Sequence, residues 1–321
     1  MKAAVYTQYG GPERLSLLEM PTPVPSEHEV LIKVQATSIN SWDYDLLIGA
    51  FMARLIGGVR KPKQTIIGCD VAGTVESVGS EVTRWKKGDR VFGDLSGGKW
   101  GGFAEYALGD ENVLARIPEK LSHEQASAIP QAGLLALQGL RKGGLDRGMN
   151  ALINGAGGGV GMFAIQLAKA VGAEVTAVDK SSKFERMKLW GANHLIDFKI
   201  HDYTRQNKQY DLILDNIAAR SVSDYRRALA SKGKFIMTGG TPGTILRVAT
   251  WGQLSSILTA KKVTMVGLKY SPDDLSEMAN LAVTGDINVA IDKVFPLDQI
   301  QEAFRYFGNG EYRGKVIIAP Q

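Results

Sequence analysis

A glycine-rich segment follows a short apolar stretch near the middle of the chain. Residues 151–153 predict a strand, and the turn after it is built almost entirely of small residues. The residues of this turn are Gly155, Ala156, Gly157, Gly158, Gly159, Val160 and Gly161. Their spacing fits the fingerprint in which backbone approaches a pyrophosphate at the N-terminus of the next helix, where free N–H groups favour negative charge. The segment therefore predicts a dinucleotide site.

An acidic residue lies about 20 residues beyond the glycines, at the offset expected of such a site. This residue is Asp179, which ends the next predicted strand. A carboxylate there accepts hydrogen bonds from the ribose hydroxyls and repels a 2′-phosphate, which favours NAD(H). Lys180, Ser181 and Lys183 follow and could pair with that phosphate, or could form a solvated charged turn. We therefore expect NAD(P)H to be the cofactor, with a weak preference for NAD(H).

Two kinds of sequence pattern surround these groups. Apolar and polar residues alternate along residues 30–34 and 73–78, which favours a barrel-like β domain in the first third of the chain. Beyond residue 121, short apolar strands alternate with helical segments, including a helix over 159–171, which indicates a parallel sheet covered on both faces. At 321 residues, the chain has room for two domains.

Charge and cysteine content exclude several classes of protein. The net charge is +5, but lysines and arginines are interspersed with acids, so we expect neither a nucleic-acid partner nor a membrane partner. Cys69 is the only cysteine, which excludes an intrachain disulfide and a zinc site built from several thiolates. Residues 1–6 have the pattern of a strand and not of a signal peptide, so a cytoplasmic location is expected, with a removed organelle presequence as the alternative.

Several further blocks resemble one protein family. They are YGGPE at 9–13, SINSWD at 38–43, GCDVAGTV at 68–75, GDRV at 88–91, GGFAEY at 101–106 and RGKV at 313–316. Together with the glycine-rich turn, which is followed by Gln166 and Lys169, these blocks resemble the zinc-free quinone oxidoreductase branch of the medium-chain dehydrogenase/reductase superfamily. That branch includes proteins similar to the reticulon-interacting mitochondrial protein, and the resemblance runs from end to end of the chain.

The resemblance implies an α/β protein with two domains. The expected domains are a GroES-like β-barrel substrate domain over 1–121, a Rossmann dinucleotide-binding domain with a doubly wound parallel sheet over 122–262, and a return to the GroES-like domain over 263–321. In this family the cofactor lies in the cleft between the domains. Its nicotinamide would then face Asn40 and Asp43.

The resemblance also implies roles for individual residues. Asn40 would bind the substrate oxygen or the nicotinamide ribose, and Asp43 is expected to orient Asn40 or a water molecule. Tyr44 is a candidate proton donor, although an aromatic residue at the expected strand end is more often part of a core. The other expected cofactor-binding residues are Leu135, Asn216, Gly239 and Arg313.

The chain departs from the zinc-dependent relatives at the positions of their metal ligands. Those relatives have a cysteine where Asn40 stands, a His-Glu pair where Cys69 and Asp70 stand, and a four-cysteine lobe that this sequence lacks. Leu135 also replaces the threonine that the family has beside the nicotinamide. We therefore expect no bound metal.

The absence of these ligands limits the chemistry. Without a Lewis acid, the negative charge that develops on the acceptor must be stabilised by hydrogen-bond donors or spread through conjugation. This favours hydride transfer from NAD(P)H to a small-molecule substrate, a quinone or an α,β-unsaturated carbonyl. The alternative is a nucleotide-binding sensor or structural protein with little catalytic activity. Since relatives are often dimers, a homodimer is also expected.

The connection after the Asn40 segment is unusually apolar. Residues 51–56 include Phe51, Leu55 and Ile56, and only Arg54 among them is charged. This segment could line a substrate entrance or pack as a short helix. The sequence leaves both interpretations open.

Overall fold

The computed structural model describes residues 1–320, without the side chain of Leu258. Its strands are β1 (Lys2–Val5), β2 (Ser16–Glu19), β3 (Glu29–Ser38), β4 (Asp70–Val78), β5 (Arg90–Asp94), β6 (Tyr106–Asp110), β7 (Leu114–Arg116), β8 (Asn150–Asn154), β9 (Glu174–Asp179), β10 (His194–Asp197), β11 (Tyr210–Asp215), β12 (Leu229–Met237), β13 (Lys262–Met265), β14 (Ile291–Pro296) and β15 (Lys315–Ala319). Its helices are α1 (Ser41–Ile48), α2 (Phe51–Gly57), α3 (His123–Ser127), α4 (Pro130–Gly143), α5 (Gly159–Val171), α6 (Phe184–Leu189), α7 (Val222–Ala228), α8 (Pro242–Arg247), α9 (Gln253–Leu258), α10 (Pro272–Thr284) and α11 (Ile300–Gly308). Within residues 1–320, no helix combines the length and the apolar composition needed to cross a membrane.

The chain divides into two compact units. The first contains Met1–Ala132, Tyr270–Gly285 and the chain from Val289 onward. The second contains Gly133–Lys269 and Asp286–Asn288. The predicted domain boundaries at 121/122 and 262/263 stay a prediction.

The main sheet of the first unit is built around β3, the longest of its strands. The strand order is β14-β15-β3-β4-β5-β7, with β6 also paired to β3, and the β14–β15 pair is parallel whereas the other pairs are antiparallel. Along β3, Ile32 and Val34 are buried on either side of the exposed Lys33. The residue of β4 that pairs with Val34 is Gly73, where a Cβ would lie 2.1 Å from the carbonyl oxygen of Lys33. Glycine is therefore required for the two strands to pair this closely.

The second unit contains a parallel sheet of six strands among the described residues. The strand order is β10-β9-β8-β11-β12-β13, and each neighbouring pair is parallel. Counted from β8, this is the order 3-2-1-4-5-6 of the Rossmann fold, in which ligands bind at the carboxyl edge where the chain direction reverses. The apolar side chains of Leu152, Val178 and Ile213 are buried in one cluster of the core. The predicted α/β class is therefore confirmed.

The predicted elements agree with the structure best in the second unit. The helix predicted over 159–171 is α5, with the same bounds. In the first third, however, the expectation of β structure alone is wrong, because α1 interrupts the strands. Residues 51–56 form the short helix α2, which is one of the two interpretations of that segment. Helix α1 forms because Asn40 starts it in extended backbone and Asp43 accepts the Asn40 N–H, after which Gly49 ends it at φ +68°.

Candidate active site

The turn between β8 and α5 has the backbone geometry that its glycines predict. Gly155 has φ +72°, a left-handed conformation that other residues rarely adopt. A Cβ on Gly161 would lie 2.4 Å from the Cα of Ala156, so only glycine lets the helix pack this closely on the strand. These are two of the three demands of a dinucleotide turn, a tight bend and close contact between helix and strand.

The third demand is a set of N–H groups directed at the phosphates. Helix α5 begins at Gly159 after the N-cap Gly158, which offers no capping side chain. The N–H groups of Gly159, Val160 and Gly161 donate to no acceptor within residues 1–320. Unpaired N–H groups at a helix N-terminus match the negative charge of a pyrophosphate. The predicted phosphate-binding residues therefore fit an NAD(P)H cofactor.

Asp179 lies at the carboxyl end of β9 and is buried. Its carboxylate accepts hydrogen bonds from the N–H groups of Gly157 at 2.8 Å and of Lys180 at 2.8 Å. The ammonium of Lys183 lies 3.8 Å from this carboxylate, and the Lys183 side chain is also buried. The structure thus brings Asp179, Gly157 and Lys183 together. Ser181, in contrast, is exposed, and its N–H donates to Asp197.

Two further predicted cofactor residues lie at the same edge of this sheet. Asn216 follows β11, and its amide donates to the carbonyl of Asn154 at 2.9 Å and accepts from the hydroxyl of Thr238 at 2.5 Å. Gly239 follows β12, and a Cβ there would lie 2.7 Å from the carbonyl oxygen of Asn216. The edge that carries the glycine-rich turn therefore also carries Asn216 and Gly239.

Asn40 stands between β3 and α1 in the first unit, where it is 7% exposed. Its amide nitrogen donates to the Asp70 carboxylate at 2.7 Å and to the Cys69 sulfur at 3.2 Å. Its amide oxygen accepts from the Lys315 ammonium at 2.6 Å. Both ends of the amide are therefore held, and the orientation of the side chain is fixed by its neighbours.

A buried ion pair that the sequence analysis missed supports Asn40. The Lys315 ammonium lies 3.4 Å from the Asp70 carboxylate, and the two side chains are 2% and 0% exposed. Asp70 also accepts from the hydroxyl of Ser38 and from the N–H of Gln131, the latter at 2.9 Å. One signal was present in the sequence, because a lysine begins the otherwise apolar strand β15. A buried lysine needs such a partner.

Asp43 is completely buried beneath Asn40. Its carboxylate accepts from the N–H groups of Asn40 at 2.9 Å and of Gly68 and Cys69 at 3.1 Å each. Burial raises the pKa of Asp43 to about 7, although the Asn40 N–H opposes this shift. Asp43 contacts the backbone of Asn40, whereas Asp70, Cys69 and Lys315 hold its side-chain amide. The predicted orienting role of Asp43 stays a prediction.

Three other predicted site residues lie outside these clusters. Tyr44 is in helix α1 and not at the end of a strand, because the capping interaction of Asp43 starts a helix there. Its ring centroid lies 6.4 Å from that of Phe304 and 6.0 Å from that of Phe307, so it packs with the aromatic core. Leu135 is half-buried in α4, and Arg313 is exposed just before β15.

One group of buried side chains could hold a metal ion. Ligand atoms of Cys69, Asp70 and Asp94 all lie within 4.8 Å of one another. Burial raises the pKa of the Cys69 thiol well above its usual range and that of Asp94 to about 7. Asp94 Oδ2 accepts no hydrogen bond in the described chain. However, the Lys315 ammonium already lies beside Asp70, where a cation would have to bind.

The similarity to known proteins extends over the whole chain. Residues 26–119 match the Alcohol dehydrogenase GroES-like domain family, and residues 190–318 match the Zinc-binding dehydrogenase family. The Chloroplast envelope quinone oxidoreductase homolog of Arabidopsis thaliana is 33% identical over 100% of this chain and 98% of its own length. The 2-methylene-furan-3-one reductase of Solanum lycopersicum is 33% identical over 100% of this chain and 79% of its own length.

A solved structure agrees with these sequence relatives. The quinone oxidoreductase from Coxiella burnetii has a TM-score of 0.89 and 27% identity, with 100% of this chain and 99% of that chain covered. The two matching families, the relatives and the fold confirm the resemblance to NAD(P)H-binding oxidoreductases. The chain therefore belongs to the quinone oxidoreductase branch of the medium-chain dehydrogenase/reductase superfamily.

Proposed function

We propose that this protein reduces a quinone or an α,β-unsaturated carbonyl with NAD(P)H and without zinc. The observation that carries the proposal is the Lys315 ammonium, buried 2.6 Å from the Asn40 oxygen and 3.4 Å from Asp70. By the family resemblance, Asn40 and Cys69 stand where zinc-dependent members have ligands. In this chain, a positively charged side chain already compensates the carboxylate at that site.

The donor set is a poor match to a catalytic zinc ion. Zinc in such a site needs three protein ligands, and a cysteine ligand must be a thiolate. Here the Cys69 S–H is 3.4 Å from the Asp43 carboxylate, and burial raises the pKa of the thiol. Zinc binding would therefore have to displace Lys315 from Asp70 and deprotonate a thiol that is stabilised in its neutral form.

The acceptor must then be one that needs little help from a Lewis acid. The cofactor, when bound, supplies the hydride. A quinone or an enone spreads the resulting negative charge through its conjugated system, so hydrogen-bond donors are sufficient to stabilise it. Asn40, oriented by Lys315 and Asp70, is the donor that we assign to the substrate oxygen or to the nicotinamide ribose. The amide N–H that would turn to this acceptor is the one that donates to the Cys69 sulfur at 3.2 Å, because sulfur is a weak acceptor.

The names of two relatives support this substrate class. The Arabidopsis relative is named a quinone oxidoreductase homolog, and the tomato relative is named for reducing 2-methylene-furan-3-one. A furanone with an exocyclic methylene group conjugated to its carbonyl is an α,β-unsaturated carbonyl. Both named acceptors therefore belong to the conjugated class that the chemistry favours.

For the cofactor, we propose binding of both dinucleotides with a modest preference for NAD(H). Asp179 is positioned by the N–H groups of Gly157 and Lys180, so its charge is fixed beside the glycine-rich turn. Lys183 lies 3.8 Å from Asp179 and partly offsets that charge. A cytoplasmic location and a homodimer remain predictions.

The test is a turnover assay with the purified chain. NADH and NADPH are each offered with a panel of quinones, enones, aldehydes and simple alcohols, and metal content is measured on the same preparation. We expect turnover with a quinone or an enone, no stoichiometric zinc and no loss of activity with a chelator. One tightly bound zinc ion per chain, with activity that a chelator abolishes, would contradict the zinc-free mechanism. Cofactor binding without any turnover would favour the nucleotide-binding sensor instead.

A further inference from the structure

Helix α2 presents an apolar surface to solvent. Its exposed members, with Val59 just beyond its end, have exposed fractions of 65%, 55%, 61% and 65%, and they are Phe51, Leu55, Ile56 and Val59. On the opposite side of the helix, Ala53 and Gly57 are buried. We call the four exposed residues the apolar arc. Single exposed hydrophobic residues are ordinary, but four on one short segment are not.

The first unit holds this helix in place. The Arg54 guanidinium lies 4.5 Å from the centroid of the Tyr9 ring, and its Nε donates to the carbonyl of Gly49 at 2.7 Å. After the helix, the N–H of Lys63 donates to the carbonyl of Gly57 at 2.7 Å. The middle of α2 and its last residue are therefore each hydrogen-bonded to neighbouring chain, with the apolar arc exposed.

Positive charge follows the apolar arc along the chain. Arg60, Lys61 and Lys63 are exposed, and none of them forms an ion pair within residues 1–320. The whole stretch 46–69 contains no aspartate or glutamate. Although the chain as a whole mixes its charges, this segment is purely cationic. We expect no membrane partner from the charge pattern of the whole chain, in which positive and negative residues are mixed. That average conceals the cationic stretch at residues 46–69.

We propose that α2 and the cationic residues after it dock the protein on the surface of an anionic lipid bilayer. An interfacial segment has an apolar face that enters the boundary of headgroups and acyl chains, with lysines and arginines that attract anionic lipids. The apolar arc and Arg60, Lys61 and Lys63 supply these two parts as consecutive exposed stretches of one segment. A stable protein partner would need about 800 Å² on each side, far more than four side chains offer.

This docking is separate from the proposed reaction. It would be reversible and sensitive to salt, because a single short apolar segment and a few charges do not anchor a protein permanently. Each cation near an anionic surface strengthens binding about fivefold. A chain that does not bind vesicles would therefore refute the docking and leave the proposed reduction of quinones or enones untouched. A chain that binds vesicles but reduces neither acceptor would refute only the proposed reaction.

The experiment is co-sedimentation of the purified chain with vesicles. One set contains phosphatidylcholine alone, and the other contains about a third phosphatidylglycerol. Wild type should bind the anionic vesicles at least about tenfold more tightly, and added salt should weaken this binding. Replacing Arg60, Lys61 and Lys63 together by glutamine should weaken it about a hundredfold. Replacing Phe51, Leu55 and Ile56 together by serine should weaken it by about tenfold or more.

Matched control variants separate the patch from general charge and hydrophobicity. Replacing the exposed Lys86, Lys120 and Lys188 by glutamine changes the net charge equally but should keep most of the binding. Replacing the exposed Val24, Leu189 and Ile200 by serine is the matched control for the apolar arc. Melting curves check that every variant folds. The proposal is overturned if wild type does not bind anionic vesicles, if the control variants lose as much binding as the patch variants, or if the apolar arc instead mediates association of two copies without lipid.

Discussion

Replacing Lys315 by methionine removes the ammonium but keeps a side chain of similar length. Asp70, which is 0% exposed, then loses the partner that lies 3.4 Å away. At an effective dielectric constant near 20, the attraction across that distance is about 5 kcal/mol. Breaking a buried ion pair by removing one partner costs about 3–5 kcal/mol, because the other charge is left uncompensated. The Lys315→Met variant should therefore be strongly destabilised.

The assay is a thermal melt of wild type and variants followed by circular dichroism. For a folding unit of 150–250 residues, each kcal/mol lowers Tm by about 2–4 °C, so the loss corresponds to roughly 10 °C. The matched control is Lys87→Met, which removes a pair with Glu76 that is shorter, at 2.6 Å, but 71% and 39% exposed. Its Tm should change little, because water and salt screen an exposed pair.

A double variant identifies the cause of the destabilisation. Adding Asp70→Asn to Lys315→Met removes the uncompensated charge, so much of the lost Tm should return. If Lys315→Met lowers Tm no more than Lys87→Met does, the buried pair does not contribute as its geometry indicates. If the double variant melts no higher than the single one, the charge of Asp70 is not the source of the loss.

Two further substitutions test the dinucleotide site. Asp179→Ser should strengthen NADPH binding about tenfold and leave NADH binding equal or weaker, because it removes a charge that repels the 2′-phosphate. Titration calorimetry measures both affinities, and Glu174→Ser at the other end of β9 is the control. A wild type that already prefers NADPH strongly would refute the reasoning. Gly161→Ala should lower stability by about 1–3 kcal/mol and weaken binding of both dinucleotides, since its Cβ would lie 2.4 Å from the Cα of Ala156. Gly98→Ala is its control, with the nearest atom 3.8 Å away, and equal melting curves and affinities for the two variants would contradict this prediction.

The Rossmann unit could be predicted from the sequence because its signals are local. A buried parallel strand is a short apolar run, and the helix that follows has its own period and ends. The α5 helix could therefore be predicted to the residue. In the first unit, the same approach missed α1 and offered α2 only as one of two interpretations of residues 51–56. The signals there are an N-cap at Asn40 and a left-handed Gly49, which weigh little against the β pattern around them.

The site could be predicted only where its residues form a motif. The glycines and Asp179 are close in sequence, and their spacing reflects one turn and the strand after it. Asp70 and Lys315, in contrast, are separated by 245 positions, and their pairing depends on how β15, β3 and β4 align in the sheet. No local pattern encodes that register. A single lysine at the start of an apolar strand indicates that a partner must exist, but not which residue it is.

The charges in the first unit depend on one another through this lysine. The pKa values of Asp43 and Asp94 are raised to about 7 each, mainly by burial and in part by the nearby charge of Asp70. The Lys315 ammonium acts in the opposite direction on Asp43. Three carboxyl groups are thus buried near one another. The Lys315 ammonium compensates Asp70, while Asp43 and Asp94 hold protons at a higher pH than exposed carboxyls do. The side-chain amide of Asn40 is bonded to Asp70 and Lys315, whereas Asp43 accepts the backbone N–H of the same residue. We therefore expect a change in the charge of Asp70 or Lys315 to alter the orientation of the amide that we assign to the substrate.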